Sequence, residues 1–371
     1  MKICFFGTYF ANYARNTSIR EGLKRCGIEV AEVHAEIANI PMDQSNDVTL
    51  FKVFYRFARK IKVYIRLLSR YREVLSADYI FVLHPGHFDL PFAWILSKLG
   101  GKKLFFDSSI SHYDTMFVGE TIGNRRTLKA KIIKLAEKFC LLFPDRIFVD
   151  TEAMKDFMVS EFKISEEKIF VVPLGANDTL YKPNGKVKHN GTTDVFFFGL
   201  YNRMQGADII MKAINLLKED SDIAFTMLGD GSLKTEFVEF ARNHNLTNVH
   251  FVGFVPEKEL VSHLQQADIA LGVFSNSPVF QRVIPNKVFA ALACAKPLIT
   301  ARYQVLEEVL HHEYNVFFCK PENPEDLAKA IRSVSRNRRL QETLSQNGYV
   351  LYKRNFTPDK IGKTLADHLH N

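Results

Sequence analysis

Lys287 follows Ile284-Pro285-Asn286, and a proline at that place opens a helix whose first N–H groups have no partner within the helix. An ammonium there adds to the positive end of the helix dipole, a combination that suits a phosphate. Arg282 lies just upstream in a loop carrying Ser275, Asn276 and Ser277, and Arg203 follows Gly199. Both are further candidate cations for the same anion, with solvated loop residues as the alternative. Gly7, Gly199 and Gly206 sit where a backbone N–H can approach a phosphate because no Cβ blocks it. Two histidines end the apolar run of Tyr79 to Leu83, in Leu83-His84-Pro85-Gly86-His87, and His87 is the favoured functional one. A structural histidine is the equal alternative. Asp107-Ser108-Ser109-Ile110-Ser111-His112-Tyr113-Asp114 is polar where a surface loop need not be. Asp107 or Asp114 could bind hydroxyl groups, or Asp107 could cap a helix or loop.

Strands that alternate with amphipathic helices must position these residues, and such a pattern predicts an α/β chain with parallel sheets. Lys2 to Phe6 reads as a buried strand stopped by Gly7, and Asn16 or Thr17 as the cap of a helix ended by Gly27. Ile28 to Val33 reads as the second strand, and further strands lie at Asp78–Leu83, Lys103–Asp107, Asp145–Val149 and Lys168–Val172. Between Gly175 and Thr193 the composition turns to Asn, Lys, Pro, Gly and Thr, as in a linker, and then the alternation restarts. Helices are expected from Ala207 to Leu217 and from Ser232 to Asn243, and a strand from Asp268 to Phe274. Asn323-Pro324 and Thr357-Pro358 read as caps followed by a first-turn proline. The expectation is two doubly wound Rossmann-like domains, 1–175 and 176–356, facing a central cleft, with 357–371 packing back on the first.

The 371 residues, 47% hydrophobic and 24% charged, exclude a disordered chain. The apolar runs are broken well before the roughly 20 residues of a membrane span, and the N-terminus lacks a signal-peptide core. A cytoplasmic location is therefore expected. Five scattered cysteines without a Cys-x-x-Cys pair argue against disulfides and structural zinc, and buried free thiols are the default reading.

Several pieces recur in a fixed order: Val172-Pro173-Leu174-Gly175, Phe198-Gly199 with Gln205-Gly206, Leu228-Gly229-Asp230-Gly231, Val252-Gly253-Phe254-Val255, Ala267-Asp268-Ile269-Ala270 and Ile284-Pro285-Asn286-Lys287. In this order the chain resembles the retaining GT-B glycosyltransferases of family 4, over nearly its whole length. The resemblance implies transfer of a sugar from a nucleotide sugar to a glycan or lipid-linked acceptor, in cell-surface polysaccharide or lipopolysaccharide synthesis. It assigns donor phosphates to Gly7, Thr8, Arg203, Gly206, Arg282 and Lys287. Nucleobase and ribose go to Gly229, Phe254, Val255 and Asn286, with core packing as the alternative for Phe254 and Val255. Tyr9, Arg15, Asn16, His84, Ser111 and Asp114 are implied on the acceptor side, and His87 and Asp107 at the reacting centre. Front-face transfer of this kind uses no protein nucleophile, and neither a metal nor a cofactor beyond the nucleotide-sugar co-substrate is expected.

The chain departs from the family where two glutamates are usual, one of them for the donor ribose, and carries Arg282 and Ala290 there. The usual phosphate-holding Arg and Lys fall on Leu200 and Gln205. These departures support a rival reading, a catalytically silent homologue acting as a binding or scaffold subunit.

The charge balance, 49 Lys and Arg against 41 Asp and Glu, is concentrated. Between Phe51 and Arg72 basic and aromatic residues interleave without an acid. That segment reads as a peripheral helix on anionic lipid, a solvated amphipathic helix, or a nucleic-acid patch. A second basic run from Arg125 to Lys134 favours the membrane, and no nucleic-acid partner is expected.

Overall fold

A computed structural model describes residues 1–35, 62–119, 123–185 and 191–370. The chain divides into two units, Met1–Pro173 with Gly362–Asn371, and Leu174–Ile361. The division falls at 173/174 and 361/362, a few residues from the expected 175/176 and 356/357.

The N-terminal unit holds β1 (Lys2–Gly7), α1 (Ala14–Arg25), β2 (Glu29–His34), α2 (described over 62–69), α3 (Tyr71–Leu75) and β3 (Tyr79–Val82). It continues through α4 (Leu90–Gly100), β4 (Lys103–Asp107), α5 (Leu128–Cys140), β5 (Arg146–Val149), α6 (Glu152–Phe162) and β6 (Ile169–Val171). Its six strands are parallel in the order β2-β1-β3-β4-β5-β6. Ile3, Phe5, Phe81, Phe105 and Phe148 are fully buried, the unbroken apolar runs of a sheet covered on both faces.

The C-terminal unit holds β7 (Thr193–Leu200), α7 (Ala207–Leu216), β8 (Ile223–Asp230), α8 (Lys234–Asn243), β9 (Val249–Val252), α9 (Glu257–Gln266) and β10 (Ile269–Leu271). Then follow α10 (Asn286–Ala293), β11 (Leu298–Ala301), α11 (Gln304–Glu307), β12 (Phe317–Cys319), α12 (Pro324–Ser335) and α13 (Arg338–Asn355). The last helix, α14 (Pro358–His370), begins in this unit and passes into the other at Gly362. The strand order is β12-β11-β10-β7-β8-β9, again all parallel. In each sheet the chain runs both ways from a central strand, and ligands bind beyond the carboxyl ends at that switch point, here β1/β3 and β7/β10.

Several local expectations are corrected. Helix α1 starts at Ala14 with Tyr13 before it, and Asn16 lies inside the helix, where its buried amide donates to the carbonyls of Phe10 and His84. A buried amide with two carbonyl partners is a tie between loops, not a cap. The segment after Pro173 is bound into its unit, since the Tyr352 hydroxyl donates to the Ala176 carbonyl at 2.8 Å and Gly175 lies under the Phe356 carbonyl. Asn323 caps α12 through the Asp326 N–H, whereas the buried Thr357 hydroxyl makes no such bond. Four cysteines are buried and Cys26 is exposed. The basic aromatic segment lies partly outside the described residues, which resume at Lys62. Among the described residues no helix is long and apolar enough to cross a membrane.

Candidate active site

At the switch point of the C-terminal unit, Gly199 is the penultimate residue of β7 and has φ of 145°. A Cβ there would lie 2.6 Å from Gln205 Oε1 and 3.0 Å from Lys287 Nζ, so glycine is needed both for the conformation and for the approach of these groups. Lys287, in the first turn of α10, is only 6% exposed. Its Nζ donates to Gln205 Oε1 at 2.8 Å and stands 4.0 Å over the Phe197 ring. Among the described residues it has no carboxylate within ion-pair distance. Burial holds its pKa well below the ordinary lysine value, because a buried ammonium without a counter-charge is costly. Pro285, which precedes α10, offers no side-chain cap, so the first-turn N–H groups point the same positive end outward.

The neighbouring loops are fixed by small contacts. Asn202 Oδ1 accepts from the Gln205 N–H at 2.9 Å and shapes the turn Arg203–Gln205. Gly206, with φ of 72°, lets the backbone of Phe274 and Ser275 close against that turn, and the Ser275 hydroxyl donates to the Met204 carbonyl. Arg203 is exposed and Arg282 half-buried. Gly229 lies under the Gly199 carbonyl, where a Cβ would come within 1.9 Å. Asn286 opens α10. Phe254 is 68% exposed beyond β9, which removes core packing as its explanation, while Val255 is half-buried. Ala290 is buried in α10 and presents no polar group.

In the N-terminal unit the charges have partners. Gly7, at φ of 122°, leaves room for Asp89, whose Oδ2 would be 2.3 Å from a Cβ. The Thr8 N–H donates to Asp89 Oδ2 at 2.6 Å, the Thr8 hydroxyl approaches both carboxylate oxygens at 3.0 Å, and the Tyr64 hydroxyl donates to Oδ1 at 2.7 Å. The Thr8 donors expected to meet phosphate are thus spent on a carboxylate, whose side chain also fills the space over Gly7. Burial raises the Asp89 pKa, and the bonds from Thr8 and Tyr64 offset part of that.

Arg15 Nε meets Asp107 Oδ1 at 2.7 Å and Nη1 donates to the Val172 carbonyl at 2.8 Å, with both side chains essentially inaccessible. These two form a structural ion pair under the sheet ends rather than contacts free for a substrate. Tyr9 is likewise buried, its hydroxyl on Glu32 and its ring stacked on His34 at 4.1 Å. Ser111 accepts from the Asp114 N–H at 3.0 Å, and both are buried.

His84, His87 and His112 do cluster, with 4.5 Å between the ring centroids of His87 and His112. Glu137 of α5 lies 3.4 Å from His87 Nε2, in ion-pair reach but not in good hydrogen-bond geometry, and accepts from the N–H groups of His112 and Tyr113. Burial pushes the Glu137 carboxyl up, but His87 and these N–H bonds outweigh it and hold it below its usual value. Burial and the neighbouring His87 lower His112 to about 4. Asp150, at the end of β5, is raised to about 7 by burial. Among the described residues His84 Nδ1, Asp107 Oδ2, Ser108 Oγ, Ser109 Oγ and Asp150 Oδ1 are buried without a hydrogen-bond partner.

Asp89, Glu137 and Asp150 were not singled out from the sequence. Glu137 could have been, as the single acid in an otherwise basic helix, and Asp150 as a carboxylate directly after a buried strand. Gln205, expected as part of the Gln205-Gly206 piece and as a departure from the usual phosphate-holding cation, is the residue that holds Lys287. Among the described residues no group of three or more His, Cys, Asp and Glu is placed to hold a metal ion. Asp220 and Asp222 are clamped by Arg332 and Arg336.

Residues 182–351 match the family model of glycosyl transferases group 1. The matched residues lie within the C-terminal unit and include Lys287, Gly199, Gly206 and Gly229. An uncharacterized glycosyltransferase of Methanocaldococcus jannaschii is 24% identical over 277 residues, covering 75% of this chain and 72% of the relative. Two further curated glycosyltransferases are matched over 56% and 41% of their own length. Sucrose-phosphate synthase from Thermosynechococcus elongatus superposes with a TM-score of 0.74 at 15% identity, over 100% of this chain and 98% of the other. HepE from Anabaena, in complex with UDP, gives 0.71 at 15% identity over 100% of both. The fold is therefore the GT-B α/β fold, and the matches support glycosyl transfer as the chemistry.

Proposed function

We propose that the protein transfers a sugar, with retention, from a nucleotide sugar held by the C-terminal unit to a lipid-linked or saccharide acceptor recognised by the N-terminal unit. Cell-surface polysaccharide or lipopolysaccharide synthesis is the setting, on the cytoplasmic side and peripheral to the membrane. The donor half of this reading rests on Lys287, a buried amine with a neutral partner at an open helix N-terminus. A diphosphate brings the counter-charge that the site lacks, so its binding favours the protonated ammonium. As the glycosidic bond to the leaving diphosphate breaks, negative charge grows on the phosphate oxygens, and preorganised donors aimed there stabilise it. Retention is supported by the order of motifs shared with the retaining family. HepE has been captured with UDP and with UDP-glucose, which makes uridine donors the first to try. On the acceptor side the group supported best is His87 with His84 and His112.

The second reading, a silent homologue, is favoured by Ala290, which gives the ribose no polar partner, and by Asp89 on the Gly7–Thr8 loop. Thermal unfolding with a panel of nucleoside diphosphates and their sugars separates the two. Ligand at a hundred times its dissociation constant adds about 2.7 kcal/mol to stability. The transferase reading expects one nucleotide to raise the melting temperature and Lys287→Ala to abolish the rise, with turnover of the matching sugar. A flat panel would sink it in favour of the silent subunit.

A further inference from the structure

Helix α5 is inverted with respect to the usual amphipathic pattern. Its inward face carries Ala130, Glu137 and Cys140, all buried. The opposite face carries Leu128, Ile132, Leu135 and Phe139, continued by Leu142, at helical spacing and each between 56% and 73% exposed. An outward apolar stripe of this kind is costly in water and marks an interaction surface. It is not confined to one helix. Phe143 lies 5.0 Å from the Phe139 ring and 5.5 Å from the Trp94 ring, which joins the stripe to α4, where Trp94, Ile95 and Leu99 are also exposed.

The rim of this face is basic. Arg125 and Arg126 just before α5, Lys129 and Lys131 on it, and Lys98 on α4 are exposed. Between 123 and 143 the one acid is Glu137, and it is buried. Glu161 of α6 pairs with Lys134 at the margin. Apolar side chains standing out beyond a ring of cations, with a tryptophan among them, match a bilayer surface: the apolar groups enter the acyl boundary while the cations meet anionic headgroups. A second copy of the chain fits less well. A two-fold contact would set the lysine rim against itself, and like charges brought together oppose association.

We propose that the α4–α5 face of the N-terminal unit docks on an anionic lipid surface. This gives the peripheral attachment proposed above a definite place, and it stands apart from glycosyl transfer, because vesicle binding is read without donor or acceptor. The test is co-sedimentation of the full chain with vesicles of phosphatidylcholine alone and of phosphatidylcholine with phosphatidylglycerol, at low and high salt. Expected is binding to the anionic vesicles that salt weakens, little binding to the neutral ones, and at least tenfold loss in the double variant Leu135→Ser with Phe139→Ser. Lys129→Gln with Lys131→Gln should lower it roughly 25-fold, at about fivefold for each cation near the surface. All four positions are surface-exposed or at the rim, so melting temperatures should hold. Equal partition onto both vesicle types, unchanged binding by the variants, or a concentration-dependent dimer that the serine variant dissolves in a chain that binds no vesicles would each overturn the proposal.

Discussion

The two units place charge at their switch points in opposite ways. In the N-terminal unit Arg15 is matched by Asp107, Asp89 by Thr8 and Tyr64, and Glu137 by His87 with two N–H groups. In the C-terminal unit Lys287 is as deeply placed, yet its only polar partner among the described residues is an amide oxygen. Buried charges that are already matched hold a fold together, since removing either partner strands the other. A buried cation left with a neutral partner is poised for a ligand that brings the missing charge. The contrast fits the donor site proposed for the C-terminal unit and an architectural part for much of the first, although both lie where a doubly wound sheet binds ligands.

The sharpest way to break this contrast is to unmatch a pair. Arg15→Met leaves Asp107 buried alone and is expected to cost about 3–5 kcal/mol, seen as a lower urea midpoint. Arg15→Met with Asp107→Leu should recover most of that loss. If the single variant is as stable as the parent, the pair is not structural. Lys287→Met should do the reverse. It removes a costly buried amine, so the unfolding midpoint should hold or rise, while the sugar-transfer rate falls by about two to three orders of magnitude. A destabilised protein with unchanged transfer would exchange the roles of the two sites.

Asp150 sharpens the comparison through pH. Burial raises its folded pKa from 3.8 to about 7, so the folded state keeps a proton that the unfolded chain has lost. The stability this contributes is complete below about pH 4, drains away between pH 4 and 7, and is gone above that. Asp150→Asn cannot titrate and should flatten the stability curve across this window by a few kcal/mol, measured by denaturant unfolding at each pH. A parent and variant with parallel curves would show that the carboxyl is not held in its neutral form. The smallest effect is expected at Phe254. Phe254→Ala should leave stability within about 0.5 kcal/mol and weaken nucleotide binding about tenfold through lost stacking on the base. Unaltered affinity would remove Phe254 from the site.

Much of the architecture was legible in advance because buried parallel strands are written as unbroken apolar runs. Ile3 to Phe6 and Leu104 to Phe106 are strands for that reason, and Asn323-Pro324 opens α12 because cap chemistry is local. Lys287 was legible from the proline that precedes it. What could not be read were the partners supplied from a distance. Asn16 looks like a cap until folding brings the His84 carbonyl, far along the chain, to its amide. Gly7 and Thr8 look like a phosphate loop until Asp89 arrives from beyond β3. Asp107 looks available until Arg15 reaches it from α1.

Residue types and local spacing thus settled the strands, the helix starts and the place of the cation in α10, since each depends on a few consecutive residues. Which charges are matched, which carboxylate has its pKa pushed up by burial and which apolar stripe faces outward depend on groups brought together across the sheets. Only the tertiary structure decided those, because the cost of a buried charge and the exposure of a side chain are set by neighbours in space rather than in sequence.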